Sequence, residues 1–340
     1  MPQPTPHSAR STSVATGVPA VLALNPAFFD GLFPPAVLAR LRRALRLDGP
    51  WARLDEVSLS ETEILITGWD GPRIDAAVLD RAPKLRAVIH SAGSVKHLVD
   101  PVVFERGLTV SSAALANARP VAEYTAAVLV LAAKRILPPA AMASIGQEET
   151  AAPEGLGLLG SVVGVVGASR IGRLMIPKLT ELGARVLLAD PYADLATAGS
   201  LGAELTGLDA LCAASHQVTL HAPALPETRH LFDERRIGLL RDGAVLVNTA
   251  RGSLIDHEAL AGECATGRIS AVLDVTDPEP LPSDHPLRTS PNVLITPHVA
   301  GACGRERRLL GSFVAAEVER LLAGQPLLGQ IRLADLERSA

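Results

Sequence analysis

The chain has 340 residues, a length that predicts two domains rather than one. Hydrophobic residues make up 48% of it and the net charge is −4 with mixed signs, which argues against nucleic acid or an anionic membrane surface as partners. No run of about 18 apolar residues is present, so no membrane span is predicted. The three cysteines lack metal or redox spacing, and we expect a protein of the reducing cytoplasm without a metal ion.

The first third of the chain alternates short apolar runs with helical patterns. Residues 1–18 are rich in Pro, Ser and Thr and are predicted to form a disordered tail. Helices are predicted at 34–45 and 75–81, and the apolar runs around them are typical of buried strands. This alternation favours a parallel sheet covered by helices. The predicted strands are Val21–Leu24, Ile64–Thr67, Ala87–His90 and Leu108–Val110.

A long Ala-rich helix, predicted at 121–137, connects this region to a second alternating series. Pro138 and Pro139 are expected to end the helix, and 146–160 is expected to form a surface loop. The second series, with a helix at 171–182, is typical of a doubly wound dinucleotide-binding fold. Its predicted strands are Val162–Val166, Arg185–Ala189, Val218–Leu220, Ala244–Val247, Ala271–Leu273 and Val293–Ile295. A last helical pattern covers Glu306–Ala323.

A glycine-rich turn lies between the first strand of the second series and the helix after it. Gly167 permits a tight turn and Gly172 permits close packing of helix on strand, but Ser169 occupies the position of the middle glycine. The Ser169 hydroxyl either donates to a phosphate oxygen or, together with its Cβ, holds the pyrophosphate away. Asp190 ends the next strand, where a carboxylate binds ribose hydroxyls and repels a 2′-phosphate, so NAD is predicted in preference to NADP. The alternative role for Asp190 is to cap a turn.

Three polar groups, Arg251, Glu279 and His298, follow apolar runs near the end of the second series. A guanidinium can bind a carboxylate through two parallel hydrogen bonds. An imidazole is a suitable proton donor near neutral pH, and a carboxylate beside it fixes its tautomer. Together these groups supply what a 2-keto acid needs in order to accept a hydride. Asp277 and Asp284 are alternatives to Glu279 as the carboxylate partner.

These motifs resemble those of the D-isomer-specific 2-hydroxyacid dehydrogenase family. The resemblance extends from about Val21 to about Leu328 and is strongest between Gly164 and Gly301. It implies an α/β protein of two doubly wound parallel-sheet domains. A Rossmann NAD-binding domain at 118–303 would be inserted in a flavodoxin-like substrate domain made of 19–117 plus 304–340. The last helix would then cross back onto the first domain.

The resemblance also implies roles for single residues. Arg251 would bind the substrate carboxylate and polarise the 2-keto oxygen, while His298, paired with Glu279, would act as general acid and base. Asp274 would contact the nicotinamide carboxamide, and Thr228 would either contact the cofactor or cap a helix. Substrate contacts are implied for Ser91, Ala92, Gly93, Arg251 and His298. Cofactor contacts are implied for Gly167, Ser169, Arg170, Ile171, Gly172, Asp190, His221, Ala222, Pro223, Thr228, Thr249, Ala250, Arg251, Asp274, His298 and Gly301.

The predicted function is therefore the NAD-dependent interconversion of a 2-keto acid and a D-2-hydroxy acid, and the resemblance implies a homodimer. An NAD(H)-responsive binding protein of the corepressor type is the main alternative, and a dehydrogenase for phosphite or formate is a third. Lys96 and His97 follow the substrate loop and either add positive charge near the substrate or are solvated charges on a helix. Asn117 and Glu123 match the helix that links the two domains in the family.

Overall fold

The structure is a computed structural model that describes residues 17–136 and 156–336. Most of the predicted tail, both prolines at 138 and 139, and most of the predicted loop at 146–160 lie outside these ranges. Val18, which we assigned to the tail, already belongs to the first strand. No helix in the described ranges is long and apolar enough to cross a membrane.

The early strands form a sheet, here called the first sheet, whose spatial order is β13-β5-β4-β3-β1-β2. Its strands are β1 (Val18–Ala23), β2 (Leu45–Trp51), β3 (Ile64–Thr67), β4 (Ala87–His90), β5 (Thr109–Ser112) and β13 (Gln330–Ile331). Without β13, the order is the flavodoxin-like 2-1-3-4-5, and these strands are parallel, as predicted. The prediction of a parallel sheet needs one correction, because the short edge strand β13 pairs antiparallel to β5.

Around the first sheet, one helix is shorter than predicted and one strand was not predicted. The helices are α1 (Phe29–Leu32), α2 (Pro35–Arg42), α3 (Ala76–Arg81), α4 (Pro101–Glu105) and α5 (Ala114–Ala133). The α2 helix is shorter than predicted, and β2, which follows it, was not predicted at all. Gly49 and Pro50 resemble a turn signal, but β2 is an edge strand, where a proline is tolerated because one side of the strand has no neighbour.

The connecting helix α5 begins seven residues earlier than predicted and ends before the two prolines. Pro120 lies in its second turn, where the ring costs one backbone hydrogen bond, yet buried contacts on both sides of it keep the helix continuous. Arg135 adopts a left-handed conformation, with φ of 54°, just after Ala133. The helix therefore ends at Ala133, four residues before the predicted end at 137, and the predicted role of Pro138 and Pro139 lies outside the described residues.

The later strands form the second sheet, which is parallel throughout, in the order β12-β11-β10-β9-β6-β7-β8. Its strands are β6 (Val162–Val166), β7 (Arg185–Ala189), β8 (Glu204–Leu205), β9 (Gln217–Leu220), β10 (Val245–Asn248), β11 (Ser270–Leu273) and β12 (Val293–Ile295). Its helices are α6 (Arg170–Glu181), α7 (Leu195–Leu201), α8 (Leu208–Ala214), α9 (Glu234–Leu239) and α10 (His257–Ala265). The strand order reverses between β6 and β9, which are neighbours and parallel. This confirms the doubly wound Rossmann order and creates a crevice at the carboxyl ends of these two strands.

The last long helix, α11 (Arg307–Leu322), packs against α1 and α2 and so returns to the first sheet, as predicted. Its Glu317 is fully buried, and the carboxylate accepts hydrogen bonds from Ser111 Oγ (2.5 Å), Leu328 N and Gly329 N (2.9 Å each). These bonds satisfy the buried charge and attach the segment before β13 to β5. A short helix, α12 (Leu333–Leu336), follows. The domain boundaries at 117/118 and 303/304 remain predictions.

Candidate active site

The turn after β6 has the backbone geometry that a dinucleotide loop requires. Gly167 has φ of 99°, and a Cβ at this position would lie 2.9 Å from the backbone of His221 and Ala222. A Cβ at Gly172 would lie 2.0 Å from the carbonyl oxygen of Gly167. Both positions therefore exclude a side chain. Gly167 requires glycine because of its positive φ and its close backbone contacts, and Gly172 requires it because the helix lies so close to the turn.

Ser169 does not distort this turn. Its φ of −66° is ordinary for any residue, so no glycine is needed there for conformation. The hydroxyl accepts a hydrogen bond from Gly172 N (3.4 Å) and caps α6. The amides of Arg170 and Ile171 fall in the first helical turn, where they have no intrahelical acceptor, and the helix dipole favours an anion. These residues fit a pyrophosphate at this position.

Asp190 occupies the end of β7 beside the same turn. Its carboxylate accepts hydrogen bonds from Ala168 N (2.6 Å) and from Tyr192 N (2.7 Å). It therefore caps the local backbone, as in the alternative role given above, and joins β7 to the glycine turn. A carboxylate has about four acceptor positions, so these two bonds leave capacity for ribose hydroxyls, and that contact remains a prediction.

The segment that begins at His221 borders the glycine turn through its backbone. The His221 side chain is buried, its Nε2 lies 3.1 Å from Thr219 Oγ1, and burial lowers its pKa to about 3. Thr228 accepts from Leu225 N (2.8 Å) and donates to Pro223 O (2.7 Å), which closes the following loop. Thr228 ends a 3₁₀ turn and Asp233 caps the next helix, so the helix-capping alternative for Thr228 was wrong.

Arg251 lies three residues beyond β10 in a turn that the protein holds rigidly. Asn248 accepts from Ala250 N (3.0 Å) and donates to Arg251 O (2.8 Å). A Cβ at Gly252 would lie 2.0 Å from the carbonyl carbon of Thr276, so this turn packs directly on the loop after β11. The contact requires glycine and fixes the spacing between the two loops.

The Arg251 guanidinium is largely unpaired. It donates to Ala250 O (2.6 Å), and within the described ranges no carboxylate lies within 4.0 Å of it. Burial lowers its pKa, while the charge of Glu279 acts in the opposite direction. An arginine stays charged in a protein, so this one has donors available for an anionic ligand. Thr249, two residues before Arg251, is held by a 2.9 Å contact between the Thr249 and Thr125 hydroxyls.

The structure brings His298 and Glu279 together. Nδ1 of the imidazole lies 2.7 Å from Oε1 of Glu279, and both side chains are about half exposed. Of the two alternative partners, Asp277 instead pairs with Arg229 (3.0 Å), and Asp284 forms no ion pair with His298. With Nδ1 bound to the carboxylate, Nε2 is the ring nitrogen left to face a ligand.

Asp274 has a structural role that sequence reasoning missed. The residue is 1% exposed, and its carboxylate accepts from Thr296 Oγ1 (2.6 Å), Val299 N (2.8 Å) and Ala300 N (2.9 Å). These bonds fix the loop that carries His298, whose left-handed φ of 53° is retained by that framework. A strand-ending acid before a loop was the available signal. Its predicted contact with the nicotinamide carboxamide remains a prediction.

The substrate loop follows β4 on the first sheet. Ser91 donates to Thr67 O through both its amide (2.8 Å) and its hydroxyl (2.7 Å), so neither donor is left for a ligand. Ala92 is buried and can serve a ligand only through its backbone. Gly93 is partly exposed, and a Cβ there would meet only Asn117 Nδ2, at 3.7 Å. Lys96 and His97 are exposed and lie in a turn, so their predicted placement on a helix was wrong, because the next helix begins at Pro101.

Asn117, near the start of α5, joins the substrate loop to the catalytic loop. Its Oδ1 accepts from Ala302 N (2.8 Å), and a Cβ at Gly301 would lie 3.1 Å from its amide group. The same amide faces Gly93. Farther along α5, Tyr124 places its hydroxyl 2.8 Å from Thr296 Oγ1. The helix that links the two sheets therefore contacts the loop of His298 directly.

Comparison with known proteins agrees with this architecture. The model of the "D-isomer specific 2-hydroxyacid dehydrogenase, NAD binding domain" matches residues 126–300. The D-3-phosphoglycerate dehydrogenase of Methanocaldococcus jannaschii is 32% identical over 271 residues, which are 78% of this chain and 51% of that protein. The glyoxylate reductase of Thermofilum pendens is 32% identical over 263 residues, or 74% and 76%. The chain spans about half the length of the phosphoglycerate dehydrogenases it matches.

A solved structure gives the same result over nearly the whole chain. The TT0316 protein of Thermus thermophilus superimposes with a TM-score of 0.72 at 32% identity and covers 92% of this chain and 99% of that one. The family model, a relative covered over three quarters of its length and the shared fold agree with the site geometry. This chain belongs to the D-isomer specific 2-hydroxyacid dehydrogenase family.

Proposed function

We propose that the protein is an NAD-dependent oxidoreductase that interconverts a 2-keto acid and a D-2-hydroxy acid. The observation that carries this proposal is the 2.7 Å contact between His298 Nδ1 and Glu279 Oε1, on the same sheet edge as the unpaired guanidinium of Arg251. An oriented proton donor beside an anion-binding cation is the arrangement that reduction of a 2-keto acid requires.

The turn after β6 supports NAD as the cofactor. Gly167, Ser169 and the first turn of α6 would hold the pyrophosphate, and Asp190 would bind the adenosine ribose. A carboxylate at that position repels a 2′-phosphate, so we expect NAD in preference to NADP. When bound in this turn, NADH would supply the hydride for reduction of the keto acid, and NAD+ would accept it in oxidation.

The residues of the chain do the rest of the chemistry. Arg251 binds the substrate carboxylate through its free N–H groups and polarises the 2-keto oxygen, and the backbone at Gly93 approaches the same carboxylate. His298 donates the proton on Nε2 to that oxygen as carbon 2 is reduced. Glu279 accepts the hydrogen bond from Nδ1 throughout and so stabilises the imidazolium and orients the ring. In oxidation, His298 takes the hydroxyl proton.

The test is to incubate the purified protein with NADH and a panel of 2-keto acids and to follow the absorbance of the reduced cofactor. We expect turnover with at least one acid and its loss in His298→Ala and Arg251→Ala. NADH binding, followed by its fluorescence, should survive in both variants. Tight NADH binding without turnover would instead support a binding protein of the corepressor type. Absence of NADH binding would contradict the assignment of the glycine turn.

We further propose that the protein is a cytoplasmic homodimer. Support comes from the family resemblance and from free cysteines: Cys212 and Cys264 are buried, and Cys303 is exposed on the loop after His298. Size-exclusion chromatography with light scattering gives the oligomeric state directly. A monomeric mass across the working concentration range would contradict the homodimer.

A further inference from the structure

An arginine lies over two adjacent aromatic rings at the carboxyl edge of the first sheet. The guanidinium carbon of Arg307 lies 4.9 Å from the ring centroid of Phe28 and 5.8 Å from that of Trp69. The two rings meet edge to face at 5.5 Å. These distances are those of cation–π contacts. We call the three residues the Arg307 clamp.

The Arg307 clamp shares its sheet edge with the substrate loop. Three neighbouring parallel strands end in register there, since Ala23 pairs with Thr67 and Thr67 pairs with His90. Phe28 lies beyond the end of β1, Trp69 beyond β3, and the loop 91–93 beyond β4. Adjacent strands are about 5 Å apart, so the ends of β1 and β3 lie one to two strand spacings, about 5–10 Å, from the end of β4.

The residue before Trp69 also packs closely against the substrate loop. A Cβ at Gly68, the residue before Trp69, would lie 2.8 Å from Ser91 Oγ. The Trp69 loop is held in turn by Asn25, whose backbone amide donates to Trp69 O (3.3 Å). In open α/β sheets, ligands bind outside the carboxyl ends of the strands, and the clamp occupies such a position.

The guanidinium in the clamp finds no acceptor among the described residues. Within those ranges, the Arg307 side chain forms no hydrogen bond and no ion pair, and its Nε is buried without a partner. By contrast, Arg40, which also contacts α11, donates to the Glu319 carboxylate through Nε and Nη2 (2.6 and 2.5 Å). An aromatic ring attracts a guanidinium without neutralising its charge, so contact with the two rings leaves the N–H groups of Arg307 available for an anion. A cation fixed without an anion at a ligand-binding edge indicates that the ligand supplies the anion.

We propose that Arg307 binds a second anionic group of the substrate, so that the preferred substrates are 2-keto acids with a carboxylate or phosphate at the far end of the side chain. This inference rests on the proposed function, because the first anion is the carboxylate bound by Arg251. Phe28 and Trp69 hold the guanidinium in place and line the path of the side chain between the two anions.

The first test compares kcat/KM for two groups of 2-keto acids. Pyruvate and glyoxylate carry one anion, whereas 2-oxoglutarate and 3-phosphohydroxypyruvate carry a second one that is a carboxylate or a phosphate. Arg307→Met keeps an unbranched apolar chain against the rings and removes the charge. We expect kcat/KM to fall by about 30-fold or more for the dianionic acid that the wild type prefers and to change by less than about 3-fold for the monoanionic acids.

Arg308→Met is the matched control, since Arg308 is the next residue of the same helix and is exposed. It should leave both groups of acids unchanged. A wild-type preference for monoanionic acids, or an equal loss for both groups in Arg307→Met, would overturn the inference and leave Arg307 as a contact that holds α11 to the two loops.

A second readout is independent of turnover. The chain has two tryptophans, so Trp51→Phe leaves Trp69 as a single fluorescent reporter in the clamp. Titration with 2-oxoglutarate should give a saturable change in Trp69 emission that disappears when Arg307→Met is added, with circular dichroism unchanged. If Trp69 responds but no 2-keto acid is turned over, the proposed function fails and the anion site stands. If monoanionic acids are turned over and Trp69 stays silent, the anion site fails alone.

Discussion

The carboxyl edges of the two sheets differ in how their polar groups are paired. On the second sheet, the acids are already bound: Asp274 accepts three hydrogen bonds, Asp190 accepts two, and Glu279 contacts His298. On the first sheet, the amide of the partly exposed Gly93 and the guanidinium of Arg307 have no acceptor in the described part of the chain. The groups that would move a proton are thus fixed by the protein, whereas the groups that would recognise the substrate are left for the substrate to pair.

Arg251 is the exception that connects the two edges. It belongs to the second sheet, yet its guanidinium is left nearly as unpaired as that of Arg307. Both arginines are held by neutral contacts, the first by the carbonyl of Ala250 and the second by two rings. An arginine kept away from carboxylates retains its full capacity to bind an anion, and this suits the recognition of a substrate with two charges.

The largest effect is expected at Arg251. Arg251→Gln keeps one amide donor but removes the charge and the paired N–H groups, so kcat/KM should fall by about 10³-fold. Arg235→Gln is the control and should behave as wild type, because Arg235 on α9 forms an exposed ion pair with Asp209 on α8. Steady-state kinetics with the best 2-keto acid gives both values. A loss below about 10-fold for Arg251→Gln would mean that the backbone at Gly93 alone holds the carboxylate.

The next effect is expected at Glu279. Glu279→Gln keeps a hydrogen-bond acceptor for Nδ1 of His298 but removes the negative charge that stabilises the imidazolium. We expect kcat to fall by about 10²-fold with KM nearly unchanged, because the charge acts on proton transfer and not on substrate binding. Asp277→Asn is the matched control two residues away, and it should lose only the surface pair with Arg229. Equal losses in the two variants would remove the distinction between these carboxylates.

The sequence predicted the reacting groups better than it predicted what holds them. Arg251, Glu279 and His298 lie in motifs of adjacent residues, so their types and spacing could be read directly. The three donors to Asp274 and the contact of Gly252 with Thr276 join segments that are far apart along the chain, and no local pattern encodes them. The fold shows the same difference between local patterns, which could be predicted, and long-range contacts, which could not.

The central strands of both sheets are continuous apolar runs, and most were predicted to within one or two residues. The elements that were missed or misplaced depend on tertiary surroundings. β2 is an edge strand that tolerates Pro50, β13 has two residues and depends on buried Glu317, and α5 continues through Pro120 because its neighbours are buried. Local propensity misjudged each of them, since packing decided the outcome.

A smaller effect is expected on the free energy of unfolding at acidic pH, and it comes from one buried histidine at the carboxyl edge of each sheet. His90 ends β4 and His221 follows β9; both are buried, and burial lowers their pKa to about 4 and about 3 from an ordinary 6.5. The unfolded chain therefore binds protons below pH 6.5 that the folded chain does not, so stability falls as the pH drops from 6.5 toward 4. Each histidine should cost about 2 kcal/mol at pH 5 relative to pH 8.

Urea unfolding at pH 7.5 and pH 5.0 measures this cost. His90→Gln can keep the hydrogen bond to Thr67 Oγ1 while it removes the titrating group, so its stability should depend less on pH than that of the wild type by about 2 kcal/mol. His97→Gln, at an exposed histidine near the same strand, should retain the wild-type dependence. An unchanged dependence in His90→Gln would mean that His90 is protonated in the folded chain.

The smallest effect is expected at Asn117, where the two edges meet. Asn117→Ala removes the acceptor for Ala302 N and should lower the free energy of unfolding by about 1 kcal/mol, as measured by urea titration. Asn117→Asp keeps that acceptor but directs a negative charge toward Gly93, so it should raise KM for the 2-keto acid with little loss of stability. If the two sheets act as independent halves, both variants would leave KM unchanged. A higher KM in the aspartate variant alone would instead mean that substrate binding depends on the charge at this junction, because only that variant keeps the contact and alters the charge.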